Sequence, residues 1–273
     1  MKNFTLPIAP DLLLSGKEWT ISDAKANLIL IHGAGEHIGR YNHLATFFNG
    51  QRMNVFGTDH YGHGNSPGKR GHLPAYSLYL DEIARLIQKI NVEFPELPLI
   101  LYGHSMGGNI VLHWLLENEK TFDFAIISAP WIQLKLVPPK WKIHLMKLLG
   151  GLLPSLSQHN ELDPHWLSHD EQVVSDYITD PLVHSEITLG AASALFAKAA
   201  YLHSYNEKID VRVLVIHGLE DKITDPEASR EFALRTGVDF HGIDGLYHEV
   251  HNEPDHINLF NYICNWLIKN GLS

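Results

Sequence analysis

Apolar residues in this chain fall into short continuous runs, separated by longer stretches that repeat at helical spacing. Leu28-Ile29-Leu30-Ile31, Val55-Phe56-Gly57-Thr58, Leu99-Ile100-Leu101-Tyr102, Ala125-Ile126-Ile127-Ser128, the segment from Val211 to Ile216 and Phe240-His241-Gly242-Ile243 have the length and apolar content of strands. Between them, Tyr41 to Asn49, Tyr79 to Phe94 and the run Asn109-Ile110-Val111-Leu112-His113-Trp114-Leu115-Leu116 carry helical periodicity. Leu12-Leu13-Leu14 and Glu18-Trp19-Thr20-Ile21, joined through Ser15-Gly16-Lys17, read as an opening hairpin. Strands alternating with helices predict an α/β fold with a mostly parallel central sheet covered on both faces.

The stretch from about residue 131 to 185 interrupts that rhythm. It holds Pro138-Pro139 and then the short helical pattern Lys140-Trp141-Lys142-Ile143-His144-Leu145-Met146-Lys147-Leu148-Leu149. The expectation is one domain, 1–273, with a helical cap inserted over the carboxyl edge of the sheet. Amphipathic helices more often cover a core than rest on lipid, so the leucines are expected to pack inward with the lysines facing water. Peripheral membrane contact through Trp131, Trp141 and the leucines beside Lys135, Lys140, Lys142 and Lys147 is the second reading.

A length of 273 residues allows a large core, and the net charge of −10 argues against nucleic acid as a partner. Pro7, Pro10 and Asp11 break any signal-peptide apolar region, and no run of eighteen apolar residues occurs, so a cytoplasmic protein is expected. The single cysteine, Cys264, excludes an internal disulfide and fits a small core residue in a C-terminal helix. Nothing in the sequence points to an obligate protein partner.

Candidate chemistry centres on Gly103-His104-Ser105-Met106-Gly107-Gly108, which lies between a predicted strand and a predicted helix. That context makes Gly-x-Ser-x-Gly a nucleophile elbow. A second match, Gly64-Asn65-Ser66-Pro67-Gly68, lacks a following helix, and Pro67 has no N–H for an oxyanion. Ser105 is therefore the candidate nucleophile and Ser66 a loop serine. In doubly wound sheets an acid and then a histidine follow, each on a loop beyond a strand. Asp221, in His217-Gly218-Leu219-Glu220-Asp221, and His248, in Tyr247-His248-Glu249-Val250-His251, occupy those places, with His251 as the rival base. Glu220 and Asp225 read as turn and helix-cap residues, while His32, His60, His63 and His104 read as structural or pocket-lining. Gly33-Ala34-Gly35 after an early strand lets a backbone approach closely, so the Ala34 and Met106 N–H groups form the expected oxyanion hole. The two histidines of His248-Glu249-Val250-His251 stand three apart rather than four, with no further obvious ligand, so a catalytic metal is not expected; no cofactor is expected either.

With His32-Gly33-Ala34-Gly35-Glu36-His37, Arg40-Tyr41 and Asp59-His60-Tyr61-Gly62-His63-Gly64-Asn65-Ser66 added to the elbow and the His248 loop, the chain resembles the monoacylglycerol lipase family of α/β-hydrolases from about Asn27 to Leu267. In the cap the likeness is confined to Tyr177-Ile178-Thr179-Asp180-Pro181-Leu182. The resemblance implies an α/β-hydrolase fold and a small lipid ester as substrate. It also implies a polar head-group pocket on Glu36, Arg40, Tyr177 and His251, with the acyl chain under the cap. A mutual ion pair of Glu36 and Arg40 that only braces the loop is the plainer role for those two. A lysophospholipase or general carboxylesterase of the same fold is the alternative, and a non-catalytic ligand-binding protein is more remote.

Overall fold

A computed structural model of the chain describes residues 1–118 and 121–272. Eight strands form one sheet: β1 (Lys2–Ala9), β2 (Leu12–Trp19), β3 (Ala26–Ile31), β4 (Met53–Thr58), β5 (Leu99–His104), β6 (Phe124–Ser128), β7 (Arg212–Gly218) and β8 (Asp239–Ile243). Their spatial order is β1-β2-β4-β3-β5-β6-β7-β8; β1 and β2 run antiparallel to their neighbours and the rest are parallel. This is the mostly parallel α/β sheet expected from the strand–helix alternation, in the α/β-hydrolase arrangement that the resemblance implies. The register sets Ile31 beside Gly103, His104 beside Ser128, Ser128 beside Ile216 and Gly218 beside Ile243. Five strands thus end along one rim. Strand order reverses between β3 and β5, and such a switch point opens a crevice at the carboxyl ends.

Continuous apolar runs arise because each inner strand feeds two core layers. Ile29 and Ile31 of β3 and Leu101 of β5 pack with Ile83, Leu86, Ile110 and Phe232, whereas Leu28, Leu30, Ile100 and Tyr102 pack with Leu44, Phe48 and Phe260. The helices on the first face are α1 (Ser77–Glu93), α2 (Met106–Glu117), α3 (Leu189–Ser204) and α4 (Pro226–Thr236); α5 (Asn42–Gly50) and α6 (His256–Lys269) cover the second.

The opening hairpin differs from the sequence reading. Its strands are β1 and β2, turning at Pro10-Asp11, and Ser15-Gly16-Lys17 lies inside β2. Gly16 is there because the Phe4 ring crosses it: a Cβ at Gly16 would lie 2.4 Å from Phe4 Cζ. The alternation of Phe4, Leu6 and Ile8 carries the β1 signal, and Pro7 is tolerated because β1 is an edge strand.

The cap leaves the sheet after β6 and returns through α3. It contains α7 (Lys140–Leu152), α8 (Glu171–Thr179) and a small antiparallel pair, Ser157–His159 with Glu186–Thr188. Here the inward-packing expectation holds only in part: Ile143, Met146 and Leu149 are half-buried and turn toward the interior, but a second apolar stripe does not. Trp141, Leu145, Leu148 and Leu152, at positions i, i+4, i+7 and i+11, form an exposed stripe on α7, and only Gly150 of that helix is buried. The α7 backbone leans on α3 through Gly150, where a Cβ would meet the Leu189 carbonyl at 2.8 Å, so the leucines on its far side find no core to enter. Among the described residues no helix is long and apolar enough to cross a membrane.

Two substitutions separate the contribution of the core from that of a helix N-terminus. Phe260, fully buried against Phe47 and Phe48, is expected to cost about 3–5 kcal/mol when cut to alanine. Asp225, which caps α4 through the Glu227 amide, is expected to cost about 1 kcal/mol when changed to alanine. Urea titrations followed by tryptophan fluorescence check both values.

Candidate active site

Ser105 stands between β5 and α2 with φ 54° and ψ −115°. A backbone at positive φ costs a non-glycine residue about 1–3 kcal/mol and persists only where its surroundings fix it. Here they do. The Ser105 amide donates to the Ser128 carbonyl at 2.9 Å, and the Ser105 carbonyl accepts from the Asn109 and Trp131 amides at 3.0 Å each. Asn109 is itself held: its side-chain amide donates to the Trp131 carbonyl at 2.9 Å, and its oxygen accepts from the Tyr76 hydroxyl at 2.7 Å. Only glycine fits two residues on, because a Cβ at Gly107 would lie 2.0 Å from the Ile31 carbonyl oxygen. The loop after β3 comes equally close, with a Cβ on Gly33 falling 3.3 Å from that of Ser105. Neither the Ala34 nor the Met106 amide is spent on an acceptor among the described residues. Ser66, by contrast, is buried in loop structure; its hydroxyl donates to the Asp59 carbonyl and accepts the Ser15 amide.

His248 and Asp221 leave the rim after β8 and β7, and His248 Nδ1 lies 2.7 Å from Asp221 Oδ2. An ionised Asp221 takes the Nδ1 hydrogen and leaves Nε2 as an acceptor. The same carboxylate oxygen meets His217 Nε2 and the Thr224 hydroxyl at 2.9 Å each, while Oδ1 accepts the Ile223 amide at 2.7 Å. Burial alone would raise the Asp221 pKa, but the adjoining His248 and the bonds from both imidazoles hold it well below the usual carboxylate range. Burial works to lower His248, and the Asp221 charge outweighs it, so the imidazole is raised above its ordinary value.

A cavity of about 480 Å³ opens above these groups. Ala34, Glu36, Ser105, Tyr177, His248 and Glu249 line its polar end, and Met146, Leu149, Leu162, Phe196 and Ile223 belong to its apolar remainder. Glu36 Oε1 accepts the Gly33 amide at 2.6 Å and the Tyr41 hydroxyl at 2.8 Å. Arg40 joins Glu36 (2.8 Å) to Glu249, which it holds with two hydrogen bonds of 2.6 and 2.8 Å. Burial raises the Glu36 pKa, whereas the two-pronged Arg40 contact overcomes burial at Glu249 and holds it at about 2.

Two residues expected at this polar end stand behind its wall. Arg40 is spent on the two glutamates, with the Tyr177 ring across it at 4.8 Å from the guanidinium carbon. His251 is fully buried, stacked on Tyr41 at 4.9 Å and edge-on to His104 at 4.7 Å, and burial drives its pKa down to about 3. Other buried histidines brace the rim: His32 Nδ1 donates to the Gly33 carbonyl at 2.8 Å, and His60 pairs with Glu82 at 2.7 Å.

Residues 22–255 match the Hydrolase_4 family, serine aminopeptidase, S33. The chain belongs to this family. An uncharacterised abhydrolase-domain-containing protein of Dictyostelium discoideum is 35% identical over 93% of this chain, which spans only 27% of that longer protein. The monoacylglycerol lipase of Mycolicibacterium smegmatis is 32% identical over 92% of this chain and 91% of its own length. The crystal structure of the Paleococcus ferrophilus monoacylglycerol lipase superposes with a TM-score of 0.87 at 31% identity, covering 94% of this chain and 99% of that one. The S33-family chain is thus a serine hydrolase.

Sequence reasoning about this S33-family hydrolase missed Glu249, His217 and Thr224. Glu249 directly follows His248, but its partner Arg40 lies 209 positions away, so no local spacing marks it. His217 sits four residues before Asp221, the pair bracketing the end of β7, and that spacing was a usable signal. Nuclear magnetic resonance of the His248 imidazole is expected to give a pKa above the ordinary value of about 6.5. Asp221→Asn removes the charge that stabilises imidazolium, so the pKa should fall on that change.

Proposed function

We propose that this chain hydrolyses monoacylglycerols to fatty acid and glycerol through an acyl-enzyme on Ser105, with residues 1–273 acting as one capped domain. The observation that carries this reading is that Ser105, on its strained turn, and His248, backed by Asp221, face one cavity with a polar end at Glu36, Tyr177 and Glu249 and a mostly apolar remainder. The substrate class draws support from the M. smegmatis and P. ferrophilus lipases, each matched over nearly their full length.

In this mechanism Ser105 Oγ attacks the ester carbonyl while His248 Nε2 takes its proton, and Asp221 stabilises the imidazolium. The Ala34 and Met106 amides hold the oxyanion, each donor being worth about 2.7–4 kcal/mol in the transition state. Collapse expels glycerol, protonated by His248. Water, deprotonated by His248, then attacks the acyl-enzyme; the fatty acid leaves and the proton returns to Ser105. Glu36 and Tyr177 receive the glycerol hydroxyls, with Arg40 and His251 supporting from behind. No step calls for a cofactor.

The α7 stripe gives the lipid substrate a route. Trp141, Leu148 and Leu152 are all more than 60% exposed, and Lys140, Lys142 and Lys147 lie among them, a composition suited to a bilayer surface. The cap rests on such a surface beside the acyl end of the cavity.

Ser105→Ala is expected to lower turnover on monoacylglycerol by roughly 10⁴-fold or more; near-normal rates, or fluorophosphonate labelling elsewhere, refute the nucleophile. Protonated His248 cannot act as base, and its pKa is raised, so kcat/KM should climb with pH through an ionisation above about 6.5. Paired Leu148→Glu and Leu152→Glu changes should reduce co-sedimentation with phosphatidylcholine–phosphatidylglycerol vesicles and hydrolysis of vesicle-borne substrate. Rates on a soluble butyrate ester should hold, and unchanged sedimentation removes the membrane contact.

A further inference from the structure

The cavity's polar end places two carboxylates, Glu36 and Glu249, on its wall and keeps the guanidinium that neutralises them behind it. Arg40 Nη1 spends both its hydrogens, one on each glutamate, and Nη2 gives one more to Glu249. The Tyr177 ring covers one face of the group. A phosphate needs a guanidinium edge presented to it for paired hydrogen bonds; the edge formed by Nη1 and Nη2 is taken by Glu249, and Arg40 is not part of the cavity wall. The other cations on the wall, Lys142 and Lys222, are exposed and engaged elsewhere, Lys142 facing Glu161 at 4.0 Å and Lys222 donating to the Tyr247 hydroxyl at 3.2 Å. Asn252 fixes Glu249 from its other side, donating to Oε2 at 2.7 Å, so the carboxylate cannot swing off Arg40 without losing two partners.

We propose that Glu249 is a specificity-determining residue: by engaging Arg40 and presenting its own carboxylate to the cavity, it admits neutral polyol leaving groups and rejects those that carry a phosphate. The proposal rests on the monoacylglycerol reading and narrows it. Glu249 neutralises Arg40 by itself, so every ionised Glu36 adds net negative charge at the place where the leaving group sits. An approaching phosphate meets that charge across a buried, weakly screened medium. Glycerol hydroxyls instead find acceptors, and two carboxylates suit the donors of a vicinal diol.

The test compares esters of one acyl chain, 1-acylglycerol and 1-acylglycerol 3-phosphate, both below their micelle thresholds. The wild-type chain is expected to favour the neutral ester by at least a hundredfold in kcat/KM, with the ratio kept between 0.05 and 0.5 M NaCl. Glu249→Gln should narrow the ratio at least tenfold, chiefly by lowering KM for the phosphate ester, because Arg40 regains a free edge. A folded Glu249→Gln chain that keeps the wild-type ratio overturns the proposal; should that variant not fold, Glu249→Ala and Glu249→Val are read for the same narrowing. Equal rates on both esters overturn the proposal while leaving monoacylglycerol hydrolysis standing. A ratio that collapses in salt assigns the discrimination to the overall charge of −10 and also overturns it. A wild-type chain inert on both esters removes the parent reading instead.

Discussion

The close approach of Gly107 to the Ile31 carbonyl fastens the start of α2 against the end of β3, and the rim is assembled around that contact. It sets Ser105 at positive φ, brings the Gly33–Ala34 loop within van der Waals range of the serine, and does so at the switch point between β3 and β5. Parallel register then delivers Asp221 and His248 from the two strands farthest along, β7 and β8, to the same edge. None of these side chains is near another in sequence. Their meeting depends on a sheet stiff enough to hold five strand ends level, which the two apolar core clusters on its faces provide.

Much of this was legible in the chain, because period and punctuation agree there. The buried runs at β3, β5 and β6 are too short and too continuous to be anything but inner strands, and Gly-His-Ser-Met-Gly-Gly between strand and helix has one physical use. Where reading failed, long-range packing decided. Gly16 looked like a turn residue, and nothing local reveals that the Phe4 ring crosses it. Arg40 and His251 carry chemistry that suits a head-group pocket, yet Glu249 draws the first behind the wall and Tyr41 stacks over the second. Such partners lie some two hundred residues apart, beyond the reach of spacing arguments.

The cap shows another kind of misreading. Amphipathicity along α7 was plain, but a pattern states which faces differ and not which one meets protein. The insertion is stitched to the core at its ends and at its turns. Asp225 donates its amide to the Gln133 carbonyl at 2.9 Å, Glu249 donates to Leu167 at 2.8 Å, and His184 donates to Gly35 at 2.8 Å. The cap therefore touches the loops of the acid, the base and the oxyanion amides while its outer helix stays uncovered. Anything that engages that helix acts on a segment joined to all three.

Burial of so many imidazoles has a consequence for endurance in acid. His32, His43, His63, His104, His113, His184, His241 and His251 are held below their ordinary pKa by burial, against only His60 and His248 held above it. As pH falls below about 6.5 the unfolded chain takes up protons that the folded core refuses, and each such histidine tilts the balance toward unfolding by up to about 1.4 kcal/mol per pH unit. His60 and His248 pull the other way, but in smaller number. The packing that gives this rim its rigidity at neutral pH thus draws on stability as the pH falls below about 6.5.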